Sequence, residues 1–243
     1  GGYVLAQGKD KVKVIVGKDT RVSGDMLEAA LVAGLMSVGC DVVTVGVIPT
    51  PGVAYLTKKY EADCGVVISA SHNPVEYNGI KFFNSDGYKL SDGIENEIES
   101  YILGEKAIEE LPTHGKVGYV SANHNAVEDY VAFAVSTIDC RLDGMKIAVD
   151  CANGASYETA FKALNKLGAN VEAIHNTPDG VNINHMCGST HMESLQAYVT
   201  SIGADIGIAF DGDADRMLAV DENGKLIDGD QIMAACAKFM RDN

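Results

Sequence analysis

Two stretches of the chain show the same order of residues, and this internal repeat limits the fold more than any other feature. The first begins at Ala54 and reads AYLTKKYEADCGVVISASHN, and the second begins at Ala197 and reads AYVTSIGADIGIAFDGDADR. With one gap, an Ala-Asp pair and a glycine coincide, and Ser71 falls on Asp213. Because the shared dipeptides recur in one order, a duplicated unit explains the match better than the general likeness of α/β units. The repeat predicts two similar units with polar loops at equivalent ends of equivalent sheets.

Each copy alternates short β-branched runs with longer runs of helical periodicity. Residues 13–16 and 40–48 predict strands in the first copy, with a helix at residues 26–39 between them. Residues 146–150 and 169–174 predict strands in the second copy, and the run between them predicts a helix. This order is typical of α/β proteins. We therefore expect two similar three-layer α/β domains with mixed, mainly parallel sheets.

The segment between the two copies is polar and rich in turn formers. Residues 103–125 predict a linker or a surface excursion, with a small strand at residues 116–120. Residues 126–138 predict a helix that leads into the second copy. In the first copy, Ser23 is a candidate N-cap for the helix that follows it.

Composition and charge exclude several classes of protein. The 243 residues are 47% hydrophobic, which supports a core, and no apolar run approaches the roughly 20 residues of a membrane span. A net charge of −15 argues against a nucleic-acid partner. The six cysteines form no C-x-x-C pair, which is typical of reduced thiols in a cytosolic protein. The sequence opens on Gly1-Gly2 without a signal segment, so we expect a trimmed chain that nothing marks for export.

The acidic loop, Asp211–Arg216, places three carboxylates at alternate positions directly after an apolar strand. Like charges this close repel one another unless a cation lies among them, and an all-oxygen set favours Mg²⁺ or Ca²⁺. A solvated acidic turn is the simpler alternative. An EF-hand would use Glu222 as its last ligand, but Arg216 stands where that loop requires glycine. A haloacid-dehalogenase-type phosphatase would need an aspartate nucleophile on the first strand, which the sequence does not offer.

A second polar loop follows the apolar run at the start of VVISASHNP, residues 66–74. Loops at strand ends often carry the chemistry of α/β proteins. On local sequence alone Ser71 is better explained as an N-cap or a turn former. A Ser-His-Asp triad is poorly supported, because no G-x-S-x-G elbow is present and His72 is adjacent in sequence.

Two further stretches carry cations near predicted strand ends. GKDTRVSG, residues 17–24, contains Lys18 and Arg21, and NGIKF, residues 78–82, contains Lys81. Each is a weak signal by itself, because polar turns and strand lysines are usually solvated.

Taken together, SASHNP, DGDADR, KDTRVSG and NGIKFF resemble the α-D-phosphohexomutase superfamily, in order along essentially the whole chain. The resemblance implies that Ser71 is carried as a phosphoserine and that Mg²⁺ is held by its phosphate and by three aspartates: Asp211, Asp213 and Asp215. It also implies that Arg21 and Lys81 flank the phosphoryl group as electrostatic stabiliser and proton shuttle.

The resemblance also assigns roles to three further residues, one in each of the stretches SASHNP, DGDADR and GKDTRVSG. We expect His72 to support the loop that contains Ser71, and Arg216 and Lys18 to bind substrate or phosphate. Three aspartates and a phosphoserine carry about −5, whereas one Mg²⁺ with Arg21, Lys81 and Arg216 returns about +5. The implied site is therefore close to neutral, which accounts for an otherwise repulsive set of acids.

Within the superfamily, PDGVNINHMCGSTH, residues 178–191, resembles the bacterial glucosamine branch, whereas sister enzymes usually carry an FPxHxPxP-like stretch there. This implies interconversion of glucosamine 6-phosphate and glucosamine 1-phosphate through a hexosamine 1,6-bisphosphate, for UDP-N-acetylglucosamine synthesis. It further implies a sugar-phosphate partner, a hexosamine or glucose 1,6-bisphosphate activator, a cytoplasmic location and room for a homodimer. A glucose- or mannose-specific mutase and a non-catalytic sugar-phosphate-binding module remain alternatives.

The resemblance also divides the chain. It implies a first domain at residues 1–136, a second at 137–228 and the start of a third at 229–243. The resemblance implies that the family's opening GTDGxRG-like stretch, the rest of the third domain and a fourth domain lie outside this sequence. We therefore expect the chain by itself to bind Mg²⁺ but to turn over little or no substrate.

Overall fold

The computed structural model of the chain describes residues 1–6, 9, 11–108 and 110–242. These residues divide into two units, each with its own sheet. The first unit is Gly1–Ser69 with Asn78–Val127, and the second is Ala70–Tyr77 with Glu128–Asn243. The segment Ala70–Tyr77, named the serine loop below, therefore belongs to the second unit, although it connects two strands of the first.

The sheet of the first unit has the strand order β4-β3-β1-β2-β5, in which only β4 is antiparallel to its neighbour. Its strands are β1 (Val12–Lys18), β2 (Cys40–Val47), β3 (Cys64–Ile68), β4 (Ile80–Asn84) and β5 (Val120–Ala122). Its helices are α1 (Gly2–Ala6), α2 (Ser23–Ser37), α3 (Thr50–Lys59) and α4 (Asp92–Ile102). Helix α5 (Ala126–Ser136) begins at the last residues of this unit and continues into the second.

The sheet of the second unit has the strand order β10-β9-β8-β6-β7. Its strands are β6 (Lys146–Asp150), β7 (Asn170–Ile174), β8 (Ile206–Phe210), β9 (Met217–Asp221) and β10 (Leu226–Ile227). Its helices are α6 (Thr159–Lys166), α7 (Glu193–Ile202) and α8 (Gly229–Asp242). Strand β6 is parallel to β7 and β8, whereas β9 is antiparallel to β8 and β10.

The two sheets repeat one topology. The order β4-β3-β1-β2 of the first matches β9-β8-β6-β7 of the second, and in each the first-named strand is antiparallel to the second. The predicted class, two α/β domains with mixed, mainly parallel sheets, is confirmed. The predicted domain limits at residues 136 and 228 stay a prediction, and Asn243, the last residue of the third predicted segment, lies outside the described residues.

The central strands are apolar because both faces of each sheet are covered. All five residues of β3 are buried, and Val14, Val16 and Val66 form one cluster with residues of α2. In the second unit, residues of β6 alternate between two clusters, with Ala148 in one and Ile147 in the other. A parallel sheet with two covered faces gives continuous β-branched runs, which is why these strands were predicted correctly.

Two local predictions were wrong. The small strand expected at residues 116–120 is the later strand β5, and the chain before it turns at His114–Lys116. Gly118 lies so close to Cys40 that a side chain there would overlap the backbone oxygen of Cys40. The amide of Gly118 donates to the backbone oxygen of Met36, which is not in a strand, so the sheet pairing does not begin at this residue.

Ser23 is not the N-cap of α2. The helix begins at Ser23 itself, Val22 occupies the N-cap position, and no side chain caps the helix there. The Ser23 hydroxyl oxygen instead accepts a hydrogen bond from the side chain of Asn78, at 2.9 Å. A tertiary hydrogen bond has therefore replaced the local one.

None of the helices in the described ranges has the length and hydropathy that crossing a membrane requires.

Gly65 in β3 lies against the buried face of helix α3. The Thr57 hydroxyl donates to the backbone oxygen of Val53 at 2.8 Å, and a Cβ on Gly65 would overlap the oxygen of that hydroxyl. We expect Gly65→Ala to lower the free energy of unfolding by about 1 to 3 kcal/mol through overpacking. Because Thr57→Ala removes the opposing atom, the double variant should recover part of this loss, and denaturant unfolding of the four proteins measures the coupling.

Gly34 provides the matched control for this substitution. A Cβ there would meet no atom within 4 Å, and Gly34 lies inside α2. Gly34→Ala should therefore raise the free energy of unfolding by up to about 1 kcal/mol, since alanine favours a helix. Strictly additive effects of the Gly65 and Thr57 substitutions would contradict the predicted overlap.

The ends of β6 and β7 are joined by an ion pair. The buried carboxylate of Asp150 lies 3.0 Å from Nδ1 of His175, which follows β7 directly. The hydrogen bond to Asp150 raises the pKa of His175, and partial burial opposes that shift. The folded protein therefore holds this proton more tightly than the unfolded chain does.

This pair makes stability depend on pH. Below the ordinary His175 pKa of 6.5 the pair contributes its full stabilisation, which is lost as pH rises through the higher folded-state pKa. The difference in unfolding free energy between the parent chain and His175→Asn should therefore be largest below pH 6.5 and shrink as the pH rises above that value. The control His124→Asn removes an exposed histidine. A difference for His175→Asn that stays constant as the pH rises would contradict the linkage.

Candidate functional site

The acidic loop is a closed turn at the end of β8. The amide of Ala214 donates to the backbone oxygen of Asp211 at 3.0 Å, and the amide of Arg216 donates to Oδ1 of Asp211 at 3.2 Å. Ala214 adopts a left-handed φ of 55°, which turns the chain back towards β9. This turn buries Asp211 and Asp213, which are 1% and 0% exposed, and leaves Asp215 at the surface.

The three carboxylates of this turn converge. Asp211, Asp213 and Asp215 each offer an oxygen, and these oxygens lie within 4.8 Å of one another. Burial raises the pKa of Asp211, the charges of Asp213 and Asp215 raise it further, and the hydrogen bond from Ser71 opposes the shift. A group whose charge is this disfavoured requires either a proton or a nearby cation.

The donor set fits a hard divalent cation. All three side chains offer carboxylate oxygens, which Mg²⁺ prefers, and ligands at octahedral positions around Mg²⁺ lie about 3 to 4 Å apart. A cation there would neutralise the repulsion that raises the pKa of Asp211. Glu222, which an EF-hand would use, lies in the turn between β9 and β10 and is not a member of this group.

Ser71 lies at the same site. Its hydroxyl donates to Oδ2 of Asp211 at 2.7 Å, and the residue is only 8% exposed. The serine loop turns here through a hydrogen bond from the amide of Asn73 to the oxygen of Ala70, and Ser71 has a left-handed φ of 53°. Within the second unit, the structure thus brings together the serine and the three aspartates that the sequence singled out.

Glycines allow the surrounding loops to approach closely. A Cβ on Gly212 would lie 2.6 Å from the backbone oxygen of Ser71 and 2.7 Å from the side-chain nitrogen of Asn184. The oxygen of Gly212 accepts a hydrogen bond from the amide of Ala155 at 2.8 Å, and a side chain on Gly154 would overlap that oxygen. The acidic loop is therefore packed between the serine loop and the turn after β6.

His72 and Arg216 are both exposed at this site. The Arg216 guanidinium lies 3.7 Å from a carboxylate oxygen of Asp215. The support expected from His72 and the phosphate binding expected from Arg216 stay predictions.

Arg21 lies in the first unit, as part of a buried network. Its Nε donates to Oδ2 of Asp19 at 3.0 Å, and both side chains are fully buried. The Ser69 hydroxyl donates to the same oxygen at 2.6 Å. Burial raises the pKa of Asp19, and the hydrogen bonds from Ser69 and Arg21 oppose that shift. The network thus fixes Ser69, which lies between the end of β3 and the first residue of the serine loop.

The two lysines singled out in the sequence also lie in the first unit. Lys18 pairs with Asp25 and Glu28 of α2, and these hydrogen bonds raise its pKa although burial lowers it. A phosphate would compete with both carboxylates for this ammonium group. Lys81 is half-buried in β4, opposite Val67 of β3. The roles predicted for both lysines stay predictions.

A second group of potential metal ligands consists of Asp150, His175 and Cys187. The Asp150 carboxylate already accepts hydrogen bonds from the amides of Ala152 and Gly188, at 2.8 and 2.9 Å, and pairs with His175. Burial, reinforced by the charge of Asp150, raises the pKa of the Cys187 thiol to about 12. These contacts explain the group as a brace between the loops after β6 and β7.

Asn184 was not identified from the sequence. It is buried at the same site, and its side chain donates to backbone oxygens of the serine loop. The residue lies in the stretch at 178–191, whose asparagines are turn formers as well as hydrogen-bond donors. No local pattern separates Asn184 from its neighbours Asn176 and Asn182, so only the structure identifies it.

Comparison with known proteins adds to this geometry. Two family models match the chain: phosphoglucomutase/phosphomannomutase alpha/beta/alpha domain I over residues 1–109, and alpha/beta/alpha domain II over residues 127–224. The phosphoglucosamine mutase of Clostridium acetobutylicum is 61% identical over 242 residues, which cover 100% of this chain and 54% of that protein. That of Clostridioides difficile is 60% identical over 243 residues, with the same coverage.

A solved structure shows the same fold. A phosphoglucomutase/phosphomannomutase family protein from Burkholderia thailandensis is 29% identical and superposes with a TM-score of 0.80, over 99% of this chain and 54% of that one. The chain thus spans about half the length of the proteins it matches. The two models together match most of the chain, one for each copy of the repeat, and the chain belongs to the phosphoglucomutase/phosphomannomutase family.

Proposed function

We propose that the chain carries the phosphoserine and the metal site of a phosphoglucosamine mutase, which interconverts glucosamine 6-phosphate and glucosamine 1-phosphate. The observation that carries this proposal is the hydroxyl of Ser71, 2.7 Å from Asp211, within a converging set of three carboxylates. The relatives at about 60% identity support the glucosamine substrate, since they bear that name. As the chain spans 54% of their length, the complete reaction belongs to the full-length protein.

The proposed reaction moves one phosphoryl group in each half. The bond between phosphorus and Oγ of phosphorylated Ser71 breaks while a bond forms from phosphorus to the free hydroxyl oxygen of the sugar monophosphate. The proton of that hydroxyl passes to a base, for which Lys81 is the proposed carrier. The Ser71 oxygen takes up a proton and becomes a hydroxyl, the state in which it donates to Asp211. The hexosamine 1,6-bisphosphate then reorients, and its other phosphoryl group is transferred back to the oxygen of Ser71.

This chain's residues contribute charge and position to that transfer. Phosphoryl transfer depends on positioning and charge neutralisation more than on covalent activation. Asp211, Asp213 and Asp215, with the phosphate of Ser71, would hold Mg²⁺, which when bound withdraws charge from the phosphoryl oxygens. Arg21 is held rigidly by Asp19, so its proposed role as a fixed positive charge requires little reorganisation.

Further properties belong to the same proposal. One Mg²⁺ serves each site, a hexosamine or glucose 1,6-bisphosphate acts as activator, and the full-length enzyme is cytoplasmic and allows a homodimer. The chain by itself binds the metal but turns over little substrate. A glucose- or mannose-specific mutase is less well supported, because the relatives named above are phosphoglucosamine mutases. Relative kcat/KM values for the three hexose phosphates separate these specificities.

The phosphoserine assignment is tested by label transfer. In the full-length protein, Ser71→Ala should abolish transfer of labelled phosphate from glucose 1,6-bisphosphate to the protein, because the accepting oxygen is gone. Ser85→Ala is the matched control, since Ser85 is an exposed serine in the turn after β4 and belongs to neither the serine loop nor the acidic loop. We expect the control protein to retain label at Ser71, as located by peptide mass spectrometry. Undiminished labelling of Ser71→Ala would refute the assignment.

The metal site is tested on the chain itself. Asp213→Asn removes a buried negative charge from the converging carboxylates, so Mn²⁺ binding, measured by electron paramagnetic resonance with Mg²⁺ as competitor, should weaken at least about tenfold.

Glu222→Gln is the matched control for Asp213→Asn. It removes an exposed acid of the turn after β9, which would be a ligand only in an EF-hand. The control should bind Mn²⁺ like the parent chain. Equal loss in the two variants, or none in Asp213→Asn, would be incompatible with the proposed site.

A further inference from the structure

The side chain of Asn184 binds the serine loop at two points. Its Nδ2 donates to the backbone oxygen of Ser71 at 2.9 Å and to that of Asn73 at 3.1 Å. Both acceptors lie in the turn that presents the Ser71 hydroxyl to Asp211. A single amide therefore fixes the backbone on either side of His72, within the second unit.

The turn that Asn184 binds is conformationally strained. Ser71 has a φ of 53°, a left-handed value that L-residues other than asparagine and aspartate rarely adopt. Such a residue persists only when its surroundings hold it in place. The hydrogen bond from Asn184 to the Ser71 oxygen supplies part of this restraint at the peptide that follows the reactive side chain.

Asn184 is itself fixed to the frame of the metal site. It is 8% exposed, and its backbone amide donates to the backbone oxygen of Ala152 at 2.9 Å. The amide of Ala152 is in turn held by Oδ1 of the buried Asp150, at 2.8 Å, at the end of β6. Strand β6 pairs with β8, from which Asp211 continues. Asn184 therefore ties the serine loop to the sheet that carries the acidic loop.

The acidic loop leaves little space for this arrangement to change. Gly212 lies so close that a Cβ on it would come within 2.6 Å of the Ser71 oxygen and 2.7 Å of Nδ2 of Asn184. The side-chain amide of Asn184 thus lies between the serine loop and the acidic loop. The separation of these two loops sets the distance from Oγ of Ser71 to the carboxylates.

We infer that Asn184 is a positioning residue for phosphoryl transfer at Ser71, acting by donating both amide hydrogens to the serine loop. The inference rests on the proposed function. Replacement by aspartate separates hydrogen-bond donation from space filling, because aspartate has nearly the same shape as asparagine but, when ionised, only accepts hydrogen bonds. A carboxylate at position 184 would face two carbonyl oxygens and repel the turn.

The test compares variants in the full-length protein. Asn184→Asp should lower the single-turnover rate of label transfer from glucose 1,6-bisphosphate to Ser71 by about 100-fold, because the oxygen is displaced from its reacting position. The kcat for glucosamine 6-phosphate should fall by a similar factor, whereas KM should change by less than about threefold. Asn184→Ala should lose less than Asn184→Asp, since it removes the donor without adding repulsion.

Asn182→Asp is the matched control, because it makes the same change two residues away in a side chain that bonds only within its own loop, to Thr177 and Asp179. It should keep the parent rate. Thermal unfolding reports whether each variant is folded. If Asn184→Asp does not fold, Asn184→Ala and Gly212→Ala decide, and both should lower the rate with little change in KM.

Rates within threefold of the parent for Asn184→Asp and Asn184→Ala would overturn the inference, and so would a larger loss in Asn184→Ala, which indicates space filling. These outcomes leave the proposed function intact as long as the parent protein labels at Ser71. A parent protein without label at Ser71 would instead refute the proposed function.

Discussion

Mutual repulsion among the three carboxylates after β8 is the constraint around which the second unit is arranged. Asp211 and Asp213 are removed from water while Asp215 stays at the surface, and burial of like charges is costly unless hydrogen bonds or a cation offset it. Among the contacts that offset this cost are the Ser71 hydroxyl and the amide of Arg216, both donating to Asp211, and the ion pair of Arg216 with Asp215. They leave the pKa of Asp211 raised, so the acidic loop still favours a cation. The proposed metal site follows from this negative charge, which the hydrogen bonds offset only in part.

The residues that flank the serine loop on either side, Ser69 and Asn78, are held within the first unit. At the start of the loop, Ser69 donates to Asp19 through its hydroxyl and to Gly79 through its amide, at 2.6 and 2.9 Å. At its end, the side chain of Asn78 donates to Ser23. The chain therefore leaves and re-enters the first sheet at fixed points, and the buried pair of Arg21 and Asp19 stabilises the first of them. A short segment with fixed ends has few conformations available, which favours the positioning that the proposed role of Ser71 requires.

The sequence predicts those parts of the structure that local residue order determines. Continuous apolar runs identified β3 and β8, and polar residues at their ends identified Ser71 and Asp211, because strands buried on both faces must be apolar and must stop where the chain turns polar. Contacts between distant residues were beyond such patterns. Ser23 bonds to Asn78 instead of capping its helix, and Lys18 pairs with acids of α2. Both depend on tertiary distances that residue spacing does not encode.

Backbone strain in the described residues is concentrated around the proposed site. Left-handed φ values at non-glycine positions cost about 1 to 3 kcal/mol each, less for asparagine, and persist only where other contacts compensate. Most of the residues with such values belong to loops of the second unit: Ser71, Ala152, Asn153, His175, Asn184, Met186 and Ala214. Their amides and side chains bond across these loops, as between Asn153 and His175 or between Asn184 and Ala152. Some of these strained residues are thus held by one another, so relaxing Ala152 or His175 would break its hydrogen bond to Asn184 or Asn153. A site built in this way resists displacement of Ser71 from the carboxylates, and such fixed positioning is what the proposed phosphoryl transfer requires.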